Sequence, residues 1–120
     1  MKNIPISKSI QLAPKDSILK AMQKLNEGDY KFQLVIDSNK KLLGTISDGD
    51  IRRSILDGIN LSDSVISCMN KNPSISHDYQ INEHKNILDG ISSTVKFLPI
   101  LDKKDKVLHV IINEEEVINK

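Results

Sequence analysis

Apolar positions along this chain alternate between two periods, and the alternation predicts its elements. Ser9-Ile10-Gln11-Leu12 is a short alternating stretch and reads as a strand. Pro14-Lys15-Asp16-Ser17 supplies helix-start chemistry, and Ile18, Ala21, Met22 and Leu25 follow on one helical face until Glu27-Gly28-Asp29. Phe32 to Ile36 is almost continuously apolar, as in a strand buried on both faces. The turn Asp37 to Lys41 and the run Leu42 to Ile46 make it a hairpin. Ile51, Ile55 and Leu56 then predict a helix from about Asp48, closed at Gly58.

The same order recurs at an offset of 65 residues, the distance from Phe32 to Phe97. Phe32-x-Leu34-Val35-Ile36-Asp37 matches Phe97-x-Pro99-Ile100-Leu101-Asp102, Ile10 falls on Ile75, and Ile46 on Ile111. The second unit reads as a strand at Ser74–Ser76, a helix within Gln80 to Ile91, and a hairpin of Phe97–Leu101 with Val107–Ile112. A last helix begins over Asn113 to Ile118. Between the units, Leu61, Val65, Ile66 and Met69 predict a short connector helix from about Ser62, broken at Pro73. The expected fold class is α/β (α+β): two βαββα repeats, residues 1–60 and 61–120, stacked about a pseudo-two-fold axis. Neither repeat can cover its own sheet, so the two bury each other.

Composition narrows the function. With 120 residues the chain suits one globule. A net charge of +1 with scattered Lys and Arg, 3% aromatics and no Trp argue against a nucleic-acid surface. No signal-peptide core and no apolar run of membrane length occur, so the expectation is a cytoplasmic protein without a membrane partner. Cys68 is the one cysteine and reads as connector packing; His77, His84 and His109 read as surface or turn residues. No Walker loop, nucleophile–base set or acid/base pair is present, so the chain is not expected to be an enzyme. Asp48-Gly49-Asp50 lacks the later ligands of a calcium loop, and no metal site is expected.

The candidate chemistry lies at the junction Gly44-Thr45-Ile46-Ser47-Asp48-Gly49-Asp50-Ile51-Arg52-Arg53, where a strand ends and a helix begins. Free N–H groups and the helix dipole make such a junction suited to phosphate. Ser47 and Asp50 also fit a capping box, and the two readings can coexist.

Together, the two short units, Phe97-Leu98-Pro99-Ile100-Leu101-Asp102, the Gly-x-x-Ser-x-x-Asp at Gly44, Ser47 and Asp50, and the connector ending Met69-Asn70-Lys71-Asn72-Pro73 resemble a tandem pair of CBS domains. The resemblance spans essentially the whole chain. It implies an adenine nucleotide (AMP, ADP or ATP) between the repeats and no required cofactor. Ser47 would meet phosphate and Asp50 the ribose hydroxyls, for which a two-oxygen acceptor is suited. Arg52 and Arg53 could add contacts to phosphate. Backbone near Ile10-Gln11 and Leu34-Val35 would line the adenine pocket. The second repeat departs from the pattern, with His109, Ile112 and Glu115 in place of Gly44, Ser47 and Asp50, so at most one good site per chain is expected.

Ser-Asp-Gly-Asp-Ile-Arg-Arg further resembles pairs attached to sugar-phosphate enzymes, either a sugar-1-phosphate nucleotidyltransferase with an N-terminal pair or an isomerase with a C-terminal one. The start at Met1 favours the first, with a catalytic domain after Lys120 as partner. The alternative is a ligand-free module that makes its host a homodimer through the helices of Ile18–Leu25 and Ile81–Ile91.

Overall fold

The computed structural model describes residues 1–113. They form a mixed α/β fold of two sheets. The first sheet holds β2 (Gln11–Leu12), β3 (Phe32–Ile36) and β4 (Leu42–Ser47), with β2 parallel and β4 antiparallel to β3. Helices α1 (Ile18–Glu27) and α2 (Asp48–Leu56) belong to this repeat. The second sheet runs β1 (Lys2–Pro5), β7 (Val107–Ile112), β6 (Phe97–Leu101) and β5 (Ser76–His77), with α3 (His84–Asp89) beside it.

The period of two in β3 sorts its side chains onto two cores. Phe32, Leu34 and Ile36 join Ile4, Ile10, Val110 and Ile112 in the layer between the sheets. Val35 faces the other way, into a core with Ile18, Ala21, Leu25, Ile51 and Val65. All five residues of β3 are buried, as its continuous apolar run predicts. A smaller core of Leu88, Leu98, Ile100 and Ile111 packs α3 on the second sheet.

The repeat is visible bond by bond. Phe32 pairs with Ser47 and Phe97 with Ile112, and the bulges fall between Val35 and Ile36 and between Ile100 and Leu101. Lys40 and Asp105 both take left-handed backbone, with φ of 65° and 64°. In each turn one aspartate oxygen accepts two backbone N–H groups: Asp37 from Asn39 and Lys41, and Asp102 from Lys104 and Lys106. Those bonds, Lys106 foremost, hold the Asp102 carboxyl below its ordinary range. Equivalent residues also meet each other. The Phe32 and Phe97 rings stack at 4.1 Å and 4°, and Lys41 bridges to Lys106. Contacts between a residue and its own counterpart mark the pseudo-two-fold axis.

Each repeat lends its approach segment to the other. β1 precedes the first repeat yet pairs antiparallel with β7. Asn70 precedes the second repeat yet exchanges two backbone hydrogen bonds with Thr45 of β4, at 3.0 and 2.8 Å. This exchange is absent from the sequence expectation, because its partners are far apart in the chain.

Other elements also differ from expectation. The connector is not a helix beyond a single 3-10 turn, Val65–Ser67. Outside partners take its polar groups: the Ser64 hydroxyl donates to Pro14 O, and Val65 N–H to Asp16 O. Cys68 is buried in the core of the first repeat, packed from that turn. The strand expected at Ser9–Leu12 is a 3-10 turn, Lys8–Ile10, followed by the short β2, and the one expected at Ser74–Ser76 begins at Ser76. The helix expected within Gln80–Ile91 is a 3-10 segment, Asp78–Glu83, kinked at Gln80, and then α3. Ile81, expected on its apolar face, is 71% exposed. His84 is not a surface residue but 4% exposed, with Nε2 2.9 Å from His77 O. The expected last helix and Glu115 lie outside the described residues. Among the described residues no helix is long and apolar enough to cross a membrane.

Candidate functional site

β4 ends at Ser47 and α2 begins at Asp48, so the predicted junction forms where expected. Ser47 is the N-cap, with extended backbone, and Asp50 stands at the third helical position. Asp50 Oδ2 accepts the Ser47 backbone N–H at 2.9 Å and its hydroxyl at 3.1 Å. Asp50 Oδ1 accepts from Arg53 Nη2 at 2.6 Å. The capping geometry thus engages the same two side chains that the sequence singles out as candidates for binding.

Ser47, Asp50 and Arg53 face a cleft of about 480 Å³, together with Thr45 of β4. Its opposite wall comes wholly from the second repeat. Asn70, Asn72, Pro73 and Ser74 of the approach segment form one side, and Gly90 to Ser93, Val95 and Phe97 form the other. A volume of this order falls within the range of small-molecule sites, ~300–1,000 Å³. The cleft is rich in amide and hydroxyl groups, and among the described residues Arg53 is the one cationic side chain on its walls.

The structure distributes the other candidate residues differently. Gly44 lies behind the cleft against the connector: a Cβ there would stand 2.6 Å from Asn70 O and 2.8 Å from Met69 Sδ. Arg52 points to the far side of α2, into a groove shared with Met22, Leu25, Asp48 and Leu56. Ile10 and Leu34 are buried between the sheets and Val35 under the helices. Gln11 lines a separate groove with Ile6 and Lys40. None of these four is on the walls around Ser47 and Asp50. The reason is the axis: a helix N-terminus from one repeat faces the approach segment of the other. Asn70, Asn72 to Ser74, Gly90 to Ser93, Val95 and Phe97 therefore line the cleft beside Ser47 and Asp50, and Ile10-Gln11 and Leu34-Val35 do not. Pairing each junction with the other repeat's approach segment would have found Asn70 to Ser74, though not the Gly90 to Phe97 side.

The twin junction differs chemically. Ile112, opposite Ser47 in the repeat, is fully buried between the sheets. His109 is half-buried, and burial first, then the neighbouring His84, lowers its pKa. Beyond β1, the approach segment on that side, Lys8 to Gln11, is tied to its own repeat. Lys24 Nζ binds the carbonyls of Lys8 and Gln11, and Gln33 Nε2 donates to Ser9 O at 2.8 Å. At the offset of 65 the counterparts of Lys24 and Gln33 are Asp89 and Leu98, which offer no such donors. The Asp50 charge is felt behind the site as well: burial chiefly, and Asp50 secondarily, push the Cys68 thiol up. No group of His, Cys, Asp and Glu suited to a metal occurs among the described residues.

Comparison with known proteins bears on the first repeat and on the fold. Residues 1–57 match the family model of the CBS domain. A Helicobacter pylori (strain J99) protein described as uncharacterized is 32% identical over 63 residues, 52% of this chain; the chain spans 18% of that protein's length. A CBS domain protein of Streptococcus pneumoniae TIGR4 superposes with a TM-score of 0.77 at 18% identity, over 95% of this chain and 75% of its own. The CbpB protein of Listeria monocytogenes, solved in complex with c-di-AMP, gives 0.76 at 20% identity, over 95% and 87%. Staphylococcus aureus OpuCA gives 0.68 at 19%, over 86% and 84%. These likenesses extend the CBS-protein fold across both repeats.

Proposed function

We propose that this chain is a regulatory module that binds one adenine nucleotide in the cleft of Ser47 and Asp50. The observation that carries the reading is the convergence of Ser47, Asp50, Arg53 and a helix N-terminus on one inter-repeat cleft. Ser47 and the first turn of α2 receive phosphate, Asp50 receives the ribose diol, and Pro73, Val95 and Phe97 offer apolar surface to the base. Phosphate at the N-terminus of α2 is favoured by the unpaired N–H groups of its first turn. The CbpB complex supports an adenine-containing ligand, and c-di-AMP joins AMP, ADP and ATP as a candidate. Because the two walls come from different repeats, a ligand that bridges them biases their relative placement, which is how binding would reach an attached or associated client. As that client we propose a sugar-1-phosphate nucleotidyltransferase, on the strength of the motif from Ser47 to Arg53.

A second reading is favoured by one observation: Leu19, Ile55 and Leu56 are exposed on the first repeat's helices, Leu56 by 78%. Ile55 and Leu56 line the groove between α1 and α2. An apolar face of that kind suits a second copy of the chain, so dimerisation is a role beside nucleotide binding.

A thermal-shift screen of AMP, ADP, ATP, c-di-AMP and GMP tests the first reading. Ligand at a hundredfold excess over its dissociation constant adds about 2.7 kcal/mol, a shift of several degrees. The expected result is a shift with an adenine ligand that disappears in Asp50→Ala; no shift with any of them refutes the reading.

A further inference from the structure

We propose that Arg53 makes the cleft answer to phosphate rather than to the nucleoside, by holding one oxygen of Asp50 until an anion draws it away. The inference rests on the nucleotide reading above. It starts from the occupancy of a single carboxylate. Asp50 Oδ2 already accepts two hydrogen bonds from Ser47, and Oδ1 is held by Arg53 Nη2 at 2.6 Å. A vicinal diol brings two O–H donors and needs acceptor capacity on that carboxylate. Oδ1 keeps one acceptor site beside the guanidinium, so both hydroxyls of a nucleoside reach Asp50 only by displacing Arg53, and the nucleoside brings nothing to receive it.

Where the guanidinium lies decides what can receive it. A Cβ on Gly49 would stand 3.3 Å from Arg53 Nη1 and 3.8 Å from Ser47 Oγ. The side chain thus folds back along α2 over its first turn, and Gly49 leaves the room. A cation over a helix N-terminus opposes the positive end of the dipole. The Asp50 bond holds it there, and an anion at the same place would satisfy both the guanidinium and the free N–H groups of the turn.

The exchange costs little. The Arg53 side chain is 70% exposed while that of Asp50 is 14% exposed, and so solvent-exposed an ion pair is weak. Guanidinium and phosphate, by contrast, form paired charge-assisted bonds. The phosphate takes Arg53, Oδ1 is released, and the diol finds its acceptor. Arg53 thereby sets specificity twice, against the nucleoside and for the nucleotide.

The test is calorimetric titration of AMP and of adenosine into the wild-type chain and Arg53→Ala. Arg53 is exposed and outside the cores, so the variant should keep the fold, and its unfolding midpoint serves as the check. Opposite shifts are expected. Adenosine should bind about two- to fivefold more tightly, the release of a weak ion pair, and its detection in the variant alone counts as tightening. AMP should bind roughly ten- to a hundredfold more weakly, the loss of charge-assisted bonds. Unchanged or weakened adenosine binding would overturn the inference, since Arg53 would then only add affinity. Silence of AMP and adenosine with the wild-type chain would remove this inference, and silence of ADP, ATP and c-di-AMP as well would remove the nucleotide reading with it; wild-type binding without the opposite shifts removes this inference alone.

Discussion

Replacing Gly44 with alanine should weaken the molecule where the two repeats are joined. The added Cβ would lie 2.6 Å from the Asn70 carbonyl oxygen, 2.8 Å from Met69 Sδ and 2.9 Å from Met69 Cγ. Met69 could swing aside, but the Asn70 carbonyl is main chain. It is fixed by Thr45, whose N–H donates to it at 3.0 Å, while Asn70 N–H donates to Thr45 O at 2.8 Å. Relief therefore requires the connector to move off β4, straining or breaking both bonds. Overpacking of this kind costs about 1–3 kcal/mol, and each strained bond about 0.5–1.5 kcal/mol. The stiffer unfolded chain of the alanine variant returns about 0.4–1 kcal/mol. The net expectation is a loss of about 3 kcal/mol, or roughly 12 °C in midpoint for a chain of this size. Thermal and urea denaturation followed by circular dichroism measure it. Nucleotide affinity should fall as well, because Asn70 and Asn72 line the cleft. Gly49→Ala is the control: its Cβ meets the mobile end of Arg53 at 3.3 Å, and a helical alanine gains up to about 1 kcal/mol over glycine. If Gly44→Ala melts within a degree of wild type, the close approach of connector and β4 does not constrain the fold, and the reasoning fails.

Three further outcomes are expected. Ser47→Ala should lose about 1 kcal/mol without ligand, as a helix loses its N-cap, and also weaken AMP, whereas Ser47→Thr should retain most of both; equal stability of the alanine variant would argue against the cap. Phe97→Ala removes one ring of the stacked pair on the axis and should cost about 3 kcal/mol in urea unfolding, with AMP affinity reduced because Phe97 also lines the cleft. His77 Nε2 lies 2.9 Å from Asp105 Oδ1, and that bond chiefly raises the histidine pKa. A raised folded-state pKa gives stability that is full below the unfolded value of about 6.5 and lost as pH rises through the folded value. Asp105→Asn should therefore be less stable than wild type near about pH 5.5 and converge with it near about pH 8; a pH-independent gap contradicts the pairing.

The hairpins were legible because each is local. Phe32 to Ile46 and Phe97 to Ile111 carry their strands, turn aspartates and register within a short span, and the structure repeats them bond for bond. α1 and α2 were legible for the same reason: Ser17 caps one, accepting the Lys20 N–H at 3.1 Å, and Ser47 the other. What escaped depends on distant partners. Lys2–Pro5 has one buried residue, Ile4, and is a strand because β7 lies beside it. Val65 and Ile66 have helical spacing, yet Asp16, Pro14 and Thr45 capture the connector's polar groups before a helix can use them. His84 looked like a surface residue because its acceptor, the His77 carbonyl, is supplied by the fold. The cleft was half legible. Ser47, Asp50 and Arg53 share one local motif, while Asn72 to Ser74 and Ser92 to Val95 reach it only through the exchange of segments across the axis.

The central claim is a single nucleotide per chain at the Ser47–Asp50 junction, with the His109–Ile112 junction silent. Calorimetric titration of AMP into the wild-type chain and into Asp50→Ala tests it most directly. The account predicts one site per chain for wild type and none for the variant. Two sites per chain, or wild-type affinity retained in Asp50→Ala, would contradict it.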